Sequence, residues 1–404
     1  MTGSKLGDIA TFVRGITFKP TDVVEPGTPG AVQCMRTKNV QAELDLSDVW
    51  AVDSVHVKRD NQFLRGGDIL VSSANSWNLV GKCCWVPELT DRTTFGGFIS
   101  TLRADASKVH PRYLYHWFGS SDIQATVRSF GRQTTNISNL DVQRCLDLVL
   151  PLPPLDEQAR IADLLDKVNA LWTRRREAIG RLDELSQSIF IDMFGDVVVN
   201  DRGWSNAEVS DVVKRFEGGK SFVADDAADP DAEFRVLKIS AVTSGLFNPD
   251  ENKAAPPGYV PPRHHFVRTG DLLFSRANTA ELVGATALVE GDVPDNLLLP
   301  DKLWRFVWRS PRAANPAFVH QMFRQPRFRF EIGSRATGTS ASMKNISQPK
   351  VLSIGFGLPP LELQDEFAQR VAAVQDIRRS NQSSLASLEA LFTSLQYRAF
   401  RGEL

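Results

Sequence analysis

The chain states one pattern twice. Leu152-Pro153-Pro154-Leu155 opens a long apolar-periodic segment, and Leu358-Pro359-Pro360-Leu361 opens a second one 206 positions later. Gln158 and Gln364, Ala162 and Ala368, Leu182 and Leu388, Ser188 and Ser394, and Phe194 and Phe400 keep that offset. Upstream, Phe63, Arg65, Gly67, Asp68, Asn75 and Leu79-Val80-Gly81 match Phe266, Arg268, Gly270, Asp271, Asn278 and Leu282-Val283-Gly284 at an offset of 203. A solenoid unit spans only about 20–50 residues, so this is a duplicated domain-plus-helix unit. The division expected is 1–150, 151–196, 197–357 and 358–404.

The segment after Pro154 carries Ile161, Leu164, Val168, Leu171, Leu182, Leu185 and Ile189 at alternating steps of three and four. That is the seam of a coiled coil. Asp156 and Glu157 suit a helix N-terminus, and Gly195 suits its end. A helix over 155–194 would be about 60 Å long at ~1.5 Å per residue. The second copy places Phe367, Val371 and Val374 before a polar gap at Arg378 and Asn381, then Leu385, Leu388, Phe392 and Leu395. Each helix must bury its seam, and the other helix is the obvious partner. The fold class expected is α+β: two mixed α/β units separated by a long antiparallel coiled-coil helix pair, with pseudo-two-fold symmetry.

Each globular unit mixes strands and helices. Asp68–Val71 and Asp271–Phe274 read as buried strands, Val32–Val40 and Phe234–Val242 as earlier ones, and Pro111–Phe118 and Pro316–Phe323 as proline-started helices. Polar loops lie between them. Candidate nucleic-acid contacts in the first unit are Arg36, Lys38, Ser72, Ser73, Asn75, Trp77, Asn78, Arg132, Gln133, Thr134, Thr135 and Asn136. In the second they are Lys220, Lys238, Arg276, Asn278, Thr279, Thr339, Ser340, Ser342, Lys344 and Asn345. Such side chains suit base edges and phosphates. They equally suit turns and caps. Net charge is −1 overall but +1 and +2 in the globular segments against −3 and −1 in the helical ones. That distribution permits local basic faces without demanding them.

The cysteines Cys34, Cys83, Cys84 and Cys145 show no metal-ligand spacing, so reduced thiols and no metal are expected. No apolar run reaches the ~18–20 residues that cross a bilayer. A cytoplasmic protein without membrane contact is expected.

Leu152-Pro153-Pro154-Leu155-Asp156-Glu157-Gln158 followed by Ser188-Ile189-Phe190-Ile191-Asp192-Met193-Phe194-Gly195-Asp196 resembles the central conserved region of type I restriction-modification specificity subunits. Asn136-Ile137-Ser138 and Asn345-Ile346-Ser347 resemble the ends of that family's target recognition domains. The order recognition domain, helix, recognition domain, helix covers the whole chain. The second helical motif departs from the first, with Glu362-Leu363 in place of the acidic pair. The resemblance implies a non-catalytic subunit that reads a bipartite double-stranded DNA site. It also implies two modification (methyltransferase) subunits docked on the helices, and ATP-driven restriction subunits. The cofactors S-adenosylmethionine, ATP and Mg are then expected on those partners, with none on this chain. Alternatives are a specificity subunit of a methylation-only or other phage-defence complex, and a structural coiled-coil adaptor without DNA contact.

Catalysis by the chain itself lacks its residues. Asn248-Pro249-Asp250 and Asn315-Pro316-Ala317 miss the Asn-Pro-Pro-aromatic element that grips a flipped adenine. Gly218-Gly219-Lys220-Ser221 lacks the upstream glycine of a phosphate loop.

Overall fold

The computed structural model describes residues 3–133, 137–222, 232–340 and 343–404, with Arg132, Gln133, Thr339 and Ser340 placed by backbone alone. They form two compact units: Met1–Arg176 with Ser383–Leu404, and Glu177–Gln382. The long helices, Leu155–Phe194 and Leu361–Ala399, are therefore divided between the units.

Each unit is built on a four-stranded antiparallel sheet of the same order. In the first unit it runs Ala10–Arg14, Ile99–Ala104, Ile69–Ser72, Cys83–Trp85. In the second it runs Val213–Gly218, Leu303–Trp308, Leu272–Ser275, Thr286–Leu288. The central strands read as continuous apolar runs because both faces of the sheet are covered. Ile69 and Val71 enter one core while Leu70 enters another. Leu272 and Phe274 likewise part from Leu273.

The matched residues of the two copies are framework. Gly67 and Gly270 take φ of +91° and +89°, which side chains with a Cβ avoid. These glycines turn the chain so that the backbone N–H groups of Arg65 and Arg268 donate to Asp68 and Asp271 at 2.9 and 2.8 Å. Arg103 and Arg305 neutralise those carboxylates from the neighbouring strand. The earlier strands are shorter than the sequence suggests. Ala31–Met35 gives way to a 3-10 turn at Thr37–Asn39, and Arg235–Leu237 to one at Ile239–Val242. Asn39 makes the first turn: its Oδ1 accepts from Arg36 N and its Nδ2 donates to the carbonyls of Asp45 and Asp48.

The repeated glutamines clamp each long helix to its unit. Gln158 Oε1 accepts from His110 N at 2.8 Å and its Nε2 donates to Pro153 O. Gln364 does the same with Asn315 N and Pro359 O. Both are buried, so the bonds fix how the helix starts against the helix Pro111–Phe118 or Pro316–Arg324. The first long helix ends at Gly195, φ +67°, whose N–H donates to Ile191 O.

In the first unit Asp166 adds an ionic lock. Arg112 Nε lies 2.8 Å from both its oxygens and His116 Nε2 lies 2.7 Å from Oδ1. Burial opposes the charge on Asp166, but the hydrogen bonds from His116 and Arg112 outweigh it and hold the carboxyl at about 2. A carboxyl depressed from ~3.9 stabilises the fold above that pH, and the contribution is lost as pH falls toward ~2. Asp166→Asn should lower stability at neutral pH and flatten the acid limb between about pH 4 and pH 2. Denaturant midpoints measured across that range check this; parallel wild-type and variant acid limbs would remove Asp166 as the group responsible.

Candidate nucleic-acid interface

The two polar loops that sequence analysis singled out separately in each unit come together in one small sheet. In the first unit Ala74–Asn75 pairs with Ser138–Asn139, which pairs with Arg132–Gln133. In the second, Ala277–Asn278 pairs with Met343–Asn345, which pairs with Thr337–Ser340. Each sheet thus carries a two-stranded ribbon. Residues 131–140 and 336–347 contain no Asp or Glu. The ribbons are tightly built: a Cβ on Gly338 would stand 2.4 Å from Met343 O.

Many candidate residues hold these loops rather than project from them. Asn75 Nδ2 donates to buried Ser72 at 3.1 Å and its Oδ1 accepts from Ser76 N. Asn278 repeats this with Ser275 at 3.4 Å and Thr279 N. Ser73 donates to Ser100 at 2.7 Å. Arg276 is engaged by Asp301 and Trp304. Arg36 lies over Trp50 at 4.1 Å and pairs with Asp48, which also holds Lys38. These matched asparagines and partnered arginines fasten their loops, each committing part of its hydrogen-bonding capacity inside its own unit.

Others remain presented. Trp77, Asn78, Thr279 and Lys220 are exposed, with Lys220 Nζ 5.6 Å from the Tyr259 ring. Lys238 and Asn345 are half-buried, and Lys344 donates to Gly338 O at 2.8 Å. Arg132 and Gln133 lie on one ribbon strand, Thr339 and Ser340 on another. Thr134, Thr135, Asn136 and Ser342 lie outside the described residues.

The ladders correct the sequence alignment of the ribbons. Asn345 stands opposite Ala277 as Asn139 stands opposite Ala74. Ile346 N donates to Arg276 O as Leu140 N donates to Ser73 O. The counterpart of Asn345-Ile346-Ser347 is therefore Asn139-Leu140-Asp141, not Asn136-Ile137-Ser138. Asp141 and Ser347 both stand at helix N-caps. The look-alike tripeptide three residues earlier concealed this.

Along the first long helix, three of the seven expected seam positions are shifted by one residue, and the second helix keeps its expected seam. Ile161, Val168, Phe367 and Val374 are buried, and Leu164, Leu182, Ile189, Val371, Leu385, Leu388, Phe392 and Leu395 are half-buried. Leu171 and Leu185 are instead 52% and 45% exposed. Their neighbours take the inner places. Leu165 and Ser186 are buried, and Trp172 Nε1 donates to Glu389 at 2.9 Å. Leu164-Leu165 and Leu171-Trp172 offer two apolar residues in succession, so hydropathy could not choose between them, and Ser186 hid the third position. The second helix exposes the same positions, with Ile377 at 54% and Leu391 at 47%, each 206 residues from Leu171 and Leu185.

The polar gap is filled by charge. In the second unit Asp183 receives Arg324 Nη2 at 2.9 and 3.0 Å and Arg378 Nη1 at 3.2 Å. Arg378 is buried, and burial pulls its guanidinium below its usual range against the pull of Asp183. Among the described residues no group of three or more His, Cys, Asp and Glu is placed to hold a metal. The thiols Cys34, Cys83, Cys84 and Cys145 are pushed up to about 12 by burial. No described helix is long and apolar enough to cross a membrane.

Fold and site define a duplicated architecture in which a loop-presenting α/β unit is clamped to segments of two long helices. Residues 1–181 match the type I restriction modification DNA specificity domain. The chain is 26% identical to the type I restriction enzyme EcoKI specificity subunit of Escherichia coli (strain K12), over 98% of this chain and 87% of that one. It is 24% identical to the StySPI specificity subunit of Salmonella potsdam, again over 98% and 87%. The crystal structure of the type I restriction-modification S subunit from M. genitalium shares the fold with TM-score 0.60 and 12% identity, covering 99% of this chain and 96% of that one. The chain is thus similar along almost its whole length to specificity subunits of type I restriction enzymes.

Removing Asp183 should leave Arg324 and Arg378 facing each other without a counter-charge. Asp183→Ala is expected to cost about 3–5 kcal/mol in chemical denaturation, the usual loss when one partner of a buried ionic group is removed. A loss under ~1 kcal/mol would place the group among weak surface pairs.

Proposed function

We propose that this chain is the non-catalytic specificity subunit of a type I restriction-modification complex, reading a bipartite duplex site with one ribbon sheet per half. The observation that carries this is the pair of ribbons: one framework, two different sets of side chains, and no carboxylate on either. A two-stranded ribbon fits the major groove, where each base pair shows a distinct pattern of donors and acceptors. Two different ribbons then read two different half-sites. Exchanging residues 1–150 for the first domain of another specificity subunit should change one half of the methylated sequence and leave the other intact. Adenine-methylation mapping in cells reads the result, and a change in both halves would refute independent readers.

The partners we infer are two methyltransferase subunits that use S-adenosylmethionine, joined by ATP- and Mg-dependent restriction subunits. Support comes from the exposed apolar positions of the helices. Leu171 and Leu391 belong to one unit, Leu185 and Ile377 to the other. On each helix these positions are 14 residues apart, two heptads, the spacing at which a packed helix returns to the same face. Leu171→Lys with Leu391→Lys should release one methyltransferase subunit from the co-purified complex. Adding Leu185→Lys and Ile377→Lys should release the second. Native mass measurement checks both steps; full occupancy in the fourfold variant would exclude this face.

A further inference from the structure

We propose that Ile137 and Met343 are thymine readers, each packing against the C5-methyl group of one thymine in its half-site. The assignment rests on the ribbons being the DNA-reading elements. The ladders make the two residues equivalent: Ser138 stands opposite Asn75 and Lys344 opposite Asn278, and Ile137 and Met343 come immediately before them. Both are apolar, both are exposed, at 45% and 38%, and neither belongs to a hydrophobic core cluster. An exposed apolar side chain is unremarkable when single. Here it recurs at one structural position in two copies whose ribbons are otherwise polar.

The chemistry of the groove selects the ligand. Donors and acceptors cover the major-groove edges of all four bases, and among the unmodified bases only thymine adds a methyl group. The polar ribbon residues suit those donors and acceptors; Ile137 and Met343 suit only the methyl. Lys344 follows Met343 in the chain, and Arg132 pairs through its backbone with Asn139, two residues from Ile137. Ile137 is β-branched and stiff, whereas Met343 is unbranched and adaptable. The first half-site should therefore demand its thymine more sharply than the second.

The test replaces each thymine of the cognate duplex in turn by deoxyuridine, which removes only the methyl, and measures binding by the complex with its methyltransferase subunits. One substitution in each half-site should weaken binding about fourfold, the worth of one methyl-sized group buried. Ile137→Ser should bind the natural duplex correspondingly less well and become indifferent to deoxyuridine in the first half-site only. Met343→Ser should do so in the second only. A wild-type complex indifferent to every deoxyuridine overturns the proposal, and so does sensitivity that persists in both variants. The wild-type scan needs no variant to fold. A wild-type complex with no preference for cognate over random duplex would instead overturn the reading of the ribbons as DNA-binding elements.

Discussion

A helix of 40 residues, Leu155–Phe194, must bury one stripe along its length, and much else in this protein is arranged around that need. The stripe is served locally in each unit. In the first, Ile161 and Leu165 join a core that includes Leu114, Phe118 and Ala399. In the second, Phe190 and Phe194 pack on Phe318 and Phe367, with ring centroids 5.0–5.5 Å apart. The globular part of each unit is thereby continuous with its helix segments through a shared core. The ribbons inherit their position from that core: the strand Ile69–Ser72, whose Ile69 and Val71 lie in the first core, leads directly into Ala74–Asn75.

The duplication keeps backbone geometry and lets the polar locks diverge. The glutamine clamps, the glycine turns and the strand order are the same in both units. The ionic locks are not. The first unit uses Asp166 with Arg112 and His116, where the second has Ala372, Ala317 and Gln321 206 or 205 positions later. The second unit instead uses Asp183 with Arg324 and Arg378. At the positions matching Asp183 and Arg378, the first unit has Glu389 and Trp172, joined by one hydrogen bond. Apolar packing sets where the helices lie, and many charge arrangements satisfy the same geometry. A buried charge needs its full set of partners, however, so each lock stays intact as a group.

What the sequence made legible follows from the same distinction. The ends of the first long helix could be read because Pro154 and Gly195 bound it and a strong period fills it. The second helix was readable even across Arg378 and Asn381, because the period resumes in phase at Leu385. Side-chain occupancy of the first seam was half legible. Where Leu171 precedes Trp172, the three-four pattern fits both phases, and only the partner helix decides which residue turns inward. The loops were legible as polar clusters, yet their roles were not. Asn75 and Asn278 have the chemistry of base readers and use it on Ser72 and Ser275. Whether an amide faces its own turn or the solvent depends on which strands pair, and residues 60 or more positions apart settle that.

This separates framework from function in a way that similarity alone reverses. The residues matched between the copies, Asp68 with Asp271, Asn75 with Asn278 and Gln158 with Gln364, are bonded within the protein and hold the fold. Exposed residues such as Trp77, matched by Ala280 at the offset of 203, differ between the copies. Ile137 and Met343 are a third kind: unlike in identity, alike in position and in apolar character. A core position would be buried, which neither residue is, and an unconstrained surface would have favoured polar side chains there as on the rest of the ribbon. A requirement for an apolar surface of no set shape, at one point of each ribbon, accounts for both the difference and the likeness.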